Sequence, residues 1–251
     1  GLGDVYKRQI ADYNVGGVVL LAANDNINGQ VNTPRLVQSL TQDLQQLAYD
    51  SATATATDER ETPRAFVPLF VSTIHAGNGQ LGSEIAKDTT PLPSLMALGA
   101  TWNTGYARQI GQIAGIELSA MGINMLLGPA LNIDQQAQSV QSIDLGVNTF
   151  GGEPSWVGQM GQSYITGVHE GSQGHIAVIG QGFPGLGLAD TQPDQEIPVV
   201  PRSILQLHQF DLIPYYAVTG AAGDTLARAD GLQCTTTVSY THLTLPTNRE
   251  V

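Results

Sequence analysis

Five short aliphatic runs, each followed by a stretch of helical spacing, constrain this chain more than any other feature. The runs are VGGVVLLA (15–22), AFVPLFVST (65–73), INMLLGPAL (123–131), HIAVIGQGF (175–183) and GLQCTTTV (231–238). The first is continuous and β-branched and ends at polar NDN, as a strand buried on both faces would. Between the runs lie four predicted helices, at 33–50, 101–122, 153–171 and 202–218. Leu36, Leu40, Leu44 and Leu47 space the first, with Thr33-Pro34 as cap and first-turn proline. Ile110, Ile113, Ile116 and Leu118 give the second an apolar face, and Gly122 stops it. Pro154 opens the third and Gly171 closes it. The polar stretch 51–64 reads as a loop.

Strands alternating with helices mean an α/β fold on a parallel sheet. No G-x-G-x-x-G opens a helix after the first strand, so a dinucleotide-binding sheet is disfavoured. The pattern predicts an incomplete (β/α)8 TIM barrel with about five of the eight strands present, whose open edge would make it poorly stable alone. At 251 residues the chain is long enough for one sizeable core. Ten Lys plus Arg stand against 22 Asp plus Glu, a net charge of −12. That balance argues against nucleic acid and against an anionic membrane surface, both of which need basic patches. No apolar run approaches the roughly 18 residues of a membrane span. The single cysteine, Cys234, excludes a disulfide framework and a cysteine-rich metal site.

Several stretches, in order, resemble the N-terminal barrel of glycoside hydrolase family 3. They are GGVVLLAANDNI, PLPSLMALGATWN (91–103), IAGIELSAMGINMLLGPALNID (113–134), NTFGGEPSWVGQMGQSYITGVHEG, GFPGLG and LHQFDLIPYYAV. The resemblance covers residues 10–237 and is similar to both the β-N-acetylhexosaminidase and the β-glucosidase branches. Residues 1–9 and 238–251 are set apart, because GDVYKRQ and VSYTHLTLPTNREV resemble translated sequencing-adaptor read-through. The rival reading of the second is an ordinary strand-like tail, since VSYTHLTL alternates apolar and polar.

The resemblance implies a TIM barrel with its site at the C-terminal ends of the strands. It also implies retaining hydrolysis of O-glycosidic bonds, with a carboxylate nucleophile and a separate acid/base group. The family nucleophile belongs to a later strand than the resemblance reaches. Position by position, the sugar-gripping residues of the family differ here. The Asp of DQEGG aligns with Ile74, the Asp of PVLDV with Asn132, and the Arg of RTFG with Asn148. The Lys-His pair of KHFPGHG aligns with Gln181 and Gly182. In the following loop, which also carries Asp190, the acid/base histidine of some members aligns with Asp194. Charge is lost at these positions while the glycines and prolines around them persist. A catalytically silent barrel is therefore expected, whose partner is a carbohydrate or none. A non-catalytic carbohydrate-binding or scaffold domain is the alternative.

The remaining candidates have bland readings. Arg35, Arg60, Arg64, Lys87, Arg108, Arg202 and Arg228 fall on helices or connecting loops, so no cation is expected at the barrel mouth, where charged transition states would need one. His75 lacks a neighbouring carboxylate and reads as a loop histidine, His169 and His208 as helix-surface residues, and His175 as the start of a strand. No pair has H-x3-H spacing, so neither a metal nor a cofactor is expected. Asp190, Asp194 and Glu196 read as a solvated loop rather than an acid/base pair or a Ca²⁺ site. Ser72 and Thr73 lack a nucleophile-elbow context. Cys234 reads as a small core residue, and Trp102 and Trp156 as packing residues at helix starts.

Overall fold

The computed structural model describes residues 4–22, 32–53, 65–75, 84–85, 87–135, 145–187, 189, 199–200, 202–220, 223–235 and 238–239. The predicted alternation is present. Helix α1 (Asp4–Ala11) precedes β1 (Gly17–Leu20), α2 (Thr33–Thr53), β2 (Phe70–Ile74), α3 (Leu95–Gly99) and α4 (Thr104–Ala120). Then come β3 (Met125–Ala130), α5 (Pro154–Gly171), β4 (Ala177–Phe183) and β5 (Val199–Val200). The last elements are α6 (Ile204–Gln206), α7 (Ile213–Val218), β6 (Gly231–Cys234) and β7 (Val238–Ser239). A π-helical turn at Leu207–Asp211 joins α6 to α7. The predicted fourth helix is thus one helical stretch with a widened turn inside it. The 51–64 loop is corrected at its start, since 51–53 extend α2; residues 54–64 lie outside the described residues.

Five strands pair in parallel in the order β1-β2-β3-β4-β6, one neighbour to the next along the chain. Every connection in that sheet steps one place in the same direction, which curls a twisted sheet into the arc of a (β/α)8 barrel rather than a doubly wound sheet. β5 and β7 form a separate two-stranded parallel pair. The sheet's helix-facing residues, among them Leu20, Val71, Leu126 and Val178, are 0–1% exposed and anchor the core.

Two predicted helix faces needed correction. On α2 the buried residues are Thr33, Val37, Thr41 and Leu44, whereas Leu36 is 48% exposed. Thr41 can sit inside because its hydroxyl donates to Met121 O at 2.8 Å. On α4 the buried residues are Ala107, Gly111, Ala114, Gly115 and Leu118, and Ile116 points outward. The cause is how closely α4 meets α5. A Cβ at Gly111 or Gly115 would run into the Tyr164 or Val168 carbonyl, and one at Gly167 or Gly171 into the Arg108 or Gln112 carbonyl. Paired small residues let the two backbones touch, so this face is closed; Leu118 lies on it and Ile110 packs against the core, and Ile116 is the predicted residue left outside.

Candidate functional site

Residues in register across a parallel sheet share a face. Val19, Ser72, Met125 and Ala177 make one row of the face turned away from the helices. Ile74, Leu127, Ile179 and Gly231 make the next, and Gln181 with Gln233 stands beyond it, toward the strand ends. Apart from Ser72, whose hydroxyl donates to the Val18 carbonyl, this inner face is apolar for two rows and becomes polar where the strands finish. Gln181 Nε2 donates to Gln233 Oε1 at 2.9 Å.

Asn132 organises the end of β3. Its side chain is nearly buried, and Oδ1 accepts the Leu186 N–H at 2.9 Å. Its carbonyl accepts the Thr149 hydroxyl at 2.8 Å, which ties down the loop carrying Asn148. The Asn132 amide lies directly over Gly182, which has φ +94°. A Cβ at Gly182 would sit 2.5–2.6 Å from Asn132 Nδ2, Oδ1 and Cγ. So the absent side chain at 182 is not an empty place: the asparagine amide fills it. Of the aligned positions, the structure brings Asn132, Gln181 and Gly182 together and links Asn148 to them through Thr149. Ile74 is half-buried two strands from Gln181, in register with Leu127. Asp190, Asp194 and Glu196 lie outside the described residues.

Among the described residues, two buried polar atoms around these strand ends have neither a hydrogen bond nor an ion pair. Asn148 Oδ1 is one, and Nδ1 of His75, immediately after β2, is the other. His75 does lie in the loop after β2, as read from the sequence, but it is 5% exposed. Burial holds its imidazole below the ordinary histidine range, with Glu117 pulling weakly the other way.

The expectation of a mouth without a cation is also corrected. Arg202 Nε lies 3.1 Å from Asp211 Oδ2, and the pair is 15% and 3% exposed. Arg202 also donates to Gln135 Oε1 at 2.6 Å, while Gln135 Nε2 donates to Asp211 Oδ1 at 2.9 Å. The guanidinium lies over the Phe210 ring, 5.2 Å from its centroid. Gln135 follows β3, and Asp211 lies against Gly185 of the turn after β4 (3.1 Å from a Cβ placed there), so the cluster sits beside the strand ends. Burial raises the Asp211 carboxyl above its usual range; Arg202 and Gln135 oppose the rise. One sequence signal could have found it. Asp211 falls four residues after Leu207 and four before Tyr215, on the buried stripe of its own helix. The π-helical turn that ends at Asp211 is a frequent companion of functional sites.

Two further carboxylates stand at strand ends. Glu84 accepts the Ala22 N–H through Oε2, and its own N–H donates to Ile74 O at 3.0 Å. Asp134, two residues past Asn132, is half-buried, and its N–H donates to Gly151 O at 2.9 Å. Chemically, the described strand ends offer neutral amides that can both donate and accept, beside carboxylates that already hold partners.

The other candidates fall elsewhere. His169 is buried rather than on the surface, with Nδ1 2.8 Å from Leu226 O and Nε2 3.0 Å from Asp230 Oδ2. His175 precedes β4 and faces Ser172 O at 2.8 Å. His208 is exposed, as expected, and bonds to the Tyr216 hydroxyl. Ser72 and Thr73 donate to the carbonyls of Val18 (2.9 Å) and Leu20 (3.3 Å), a structural use of both hydroxyls. Cys234 is exposed, not a core residue, at the end of β6, an edge strand of the described sheet. Trp156 packs against the core, whereas Trp102 is 70% exposed and packs through one face on the Trp156 ring. Among the described residues no three His, Cys, Asp or Glu side chains converge as a metal site. No helix among them is long and apolar enough to cross a membrane.

Comparison with known proteins adds relatives to this geometry. A family model described as "Glycosyl hydrolase family 3 N terminal domain" matches residues 3–229. A β-hexosaminidase of Thiobacillus denitrificans is 27% identical over 220 residues, covering 85% of this chain and 52% of that protein. A solved family 3 β-N-acetylglucosaminidase from a Paenibacillus species superposes with a TM-score of 0.77 at 25% identity, over 95% of this chain and 39% of that one. The β-N-acetylhexosaminidase of Beutenbergia cavernae gives 0.74 at 19% identity, over 95% and 63%, a likeness of fold. The chain spans about half the length of the curated relatives it matches.

Proposed function

The chain belongs to the glycosyl hydrolase family 3 N-terminal domain family, and from that premise we propose that it binds carbohydrate through neutral amides and does not by itself hydrolyse glycosides. The observation that carries this reading is Asn132 seated over Gly182, beside the Gln181–Gln233 pair. Amides match sugar hydroxyls in offering both donors and acceptors. They do not supply what retaining hydrolysis needs, a carboxylate nucleophile and a second group that transfers a proton. Of the carboxylates beside these ends, Asp211 is neutralised by Arg202 and Glu84 caps the end of β1. The names of the relatives favour β-linked N-acetylglucosamine as the ligand.

The test joins binding with turnover. Titration with N-acetylglucosamine and with glucose should shift the side-chain amide NMR signals of Asn132, Gln181 and Gln233. Chromogenic β-glucoside and β-N-acetylglucosaminide should remain intact. Saccharide titrations that leave those amides unmoved would remove the binding reading.

A hydrolytic reading rests on one observation, the carboxylates Glu84 and Asp134 at the ends of the strands. Turnover abolished by Glu84→Gln or Asp134→Asn, with the fold intact, would establish it in place of the first.

A further inference from the structure

On the same end of the sheet, outside the strand ends, Trp102 is the most exposed large aromatic side chain among the described residues of the helix starts. Helices α4 and α5 run back along the sheet from its C-terminal end, so their N-termini stand on the rim of the mouth. Trp102 lies two residues before α4, and Trp156 in the first turn of α5. The indoles stack, with centroids 4.9 Å apart and planes 26° from parallel. Trp156 is fixed from beneath: its Nε1–H donates to Gly99 O at 3.0 Å. Trp102 turns its other face to solvent and is 70% exposed.

The display is held in place. Trp102 has φ +51°, a left-handed backbone unusual for a bulky residue and costing roughly 1–2 kcal/mol. The turn that imposes it is pinned on both sides: the Thr101 hydroxyl donates to Leu98 O at 2.6 Å and accepts the Asn103 N–H at 3.2 Å. Asn103, the residue after Trp102, caps α4 with Oδ1, which accepts the Gly105 N–H at 2.9 Å, so its oxygen is engaged and its amide NH2 is the donor end. A rigid, exposed ring next to a polar edge needs no ordering when a ligand arrives. A residue serving only to cover Trp156 has no need of that strain.

We propose that Trp102 is the platform of an accessory saccharide subsite on this rim, taking the apolar face of a pyranose ring while Asn103 meets its hydroxyl edge. The flat, uncharged ring selects a flat, uncharged ligand. A chain of net charge −12 does not favour anions, and a single stacked indole pair offers neither a groove for a helix nor an edge for a strand. A single glycan would then run from the strand ends to Trp102, a step that rests on the mouth being carbohydrate-binding.

The experiment titrates the chain with N-acetylglucosamine and with its β-1,4-linked pentamer, in wild type, Trp102→Asn and Trp102→Phe. Asparagine tolerates the left-handed backbone and removes the ring, so an unchanged melting temperature separates loss of the platform from loss of the fold. The pentamer should bind wild type about tenfold more tightly than the monomer, the worth of one stacking contact. Trp102→Asn should erase that gain without touching monomer affinity, and Trp102→Phe should keep most of it. Equal pentamer affinity in wild type and Trp102→Asn overturns the subsite. If the mouth amides still shift in that case, the reading of the mouth survives alone. If the pentamer moves the Trp102 indole but not the mouth amides, the platform stands and the mouth reading falls. Binding of neither probe by wild type overturns both.

Discussion

Replacing Gly182 by alanine adds one methyl group at the point where Asn132 crosses β4. The new Cβ would lie 2.5–2.6 Å from three atoms of the asparagine amide, about 1 Å inside ordinary contact distance. The backbone adds its own term, since φ +94° costs a residue with a Cβ about 1–2 kcal/mol. Asn132 cannot simply swing away. It is 7% exposed, and moving it would strip the Leu186 N–H of its acceptor, worth about 1–3 kcal/mol if left buried. Overpacking without that loss costs about the same. The two terms give about 2–5 kcal/mol, a large part of the roughly 5–15 kcal/mol available to a domain. Urea unfolding should show a lower midpoint at constant slope. In an Asn132→Ala background only the backbone term remains, so a double-mutant cycle should give about 1–3 kcal/mol of coupling. A Gly182→Ala variant within about 0.5 kcal/mol of wild type, or an equal cost in both backgrounds, would refute the reasoning.

The same contact predicts that Gln181→Lys with Gly182→His destabilises the chain and brings no hydrolysis of chromogenic β-glucosides; measurable turnover would contradict it. Gly167→Ala should lower stability by about 1–3 kcal/mol, although alanine gains about 1 kcal/mol in an isolated helix, because its methyl meets the Arg108 carbonyl; a stabilised variant in thermal melts would contradict the close approach. His75 is held below the ordinary histidine range, so the unfolded chain takes up a proton there first. Its contribution is present above about pH 6.5 and is lost as pH falls through the folded value. His75→Gln should therefore flatten the stability profile from about pH 7 to 5, and a profile parallel to wild type would exclude His75 as its source. Arg202→Met leaves Asp211 buried without its cation and should cost about 3–5 kcal/mol near pH 7. Burial already raises the Asp211 carboxyl, and without Arg202 it rises further. As pH falls the carboxyl takes up a proton, the unpaired charge disappears and the defect should shrink toward pH 4. Denaturant midpoints at the two pH values check the sign.

Local order was legible in the amino-acid sequence because it obeys local rules. The five aliphatic runs became β1, β2, β3, β4 and β6, and the caps at Pro154 and Gly122 mark real boundaries. Alternation of strand and helix was enough to specify a parallel sheet, and the motif order was enough to specify the family. The positions Asn132, Gln181 and Gly182 could be named from the resemblance of their motifs, but not the contact between Asn132 and Gly182.

What the sequence could not contain is which groups meet across elements. Four glycines on α4 and α5 decide that Ile116 faces water, because they let the two backbones touch. Gln135 lies 67 residues before Arg202, yet it shares one buried cluster with Arg202 and Asp211, so a cation that reads as a loop residue stands beside the strand ends. Gly182 reads as a deletion of function and proves to be half of a contact whose other half is Asn132. Propensity and periodicity act over a few residues and write themselves into sequence. Burial, ion pairing and steric exclusion act through space, and only the folded chain brings their partners within reach.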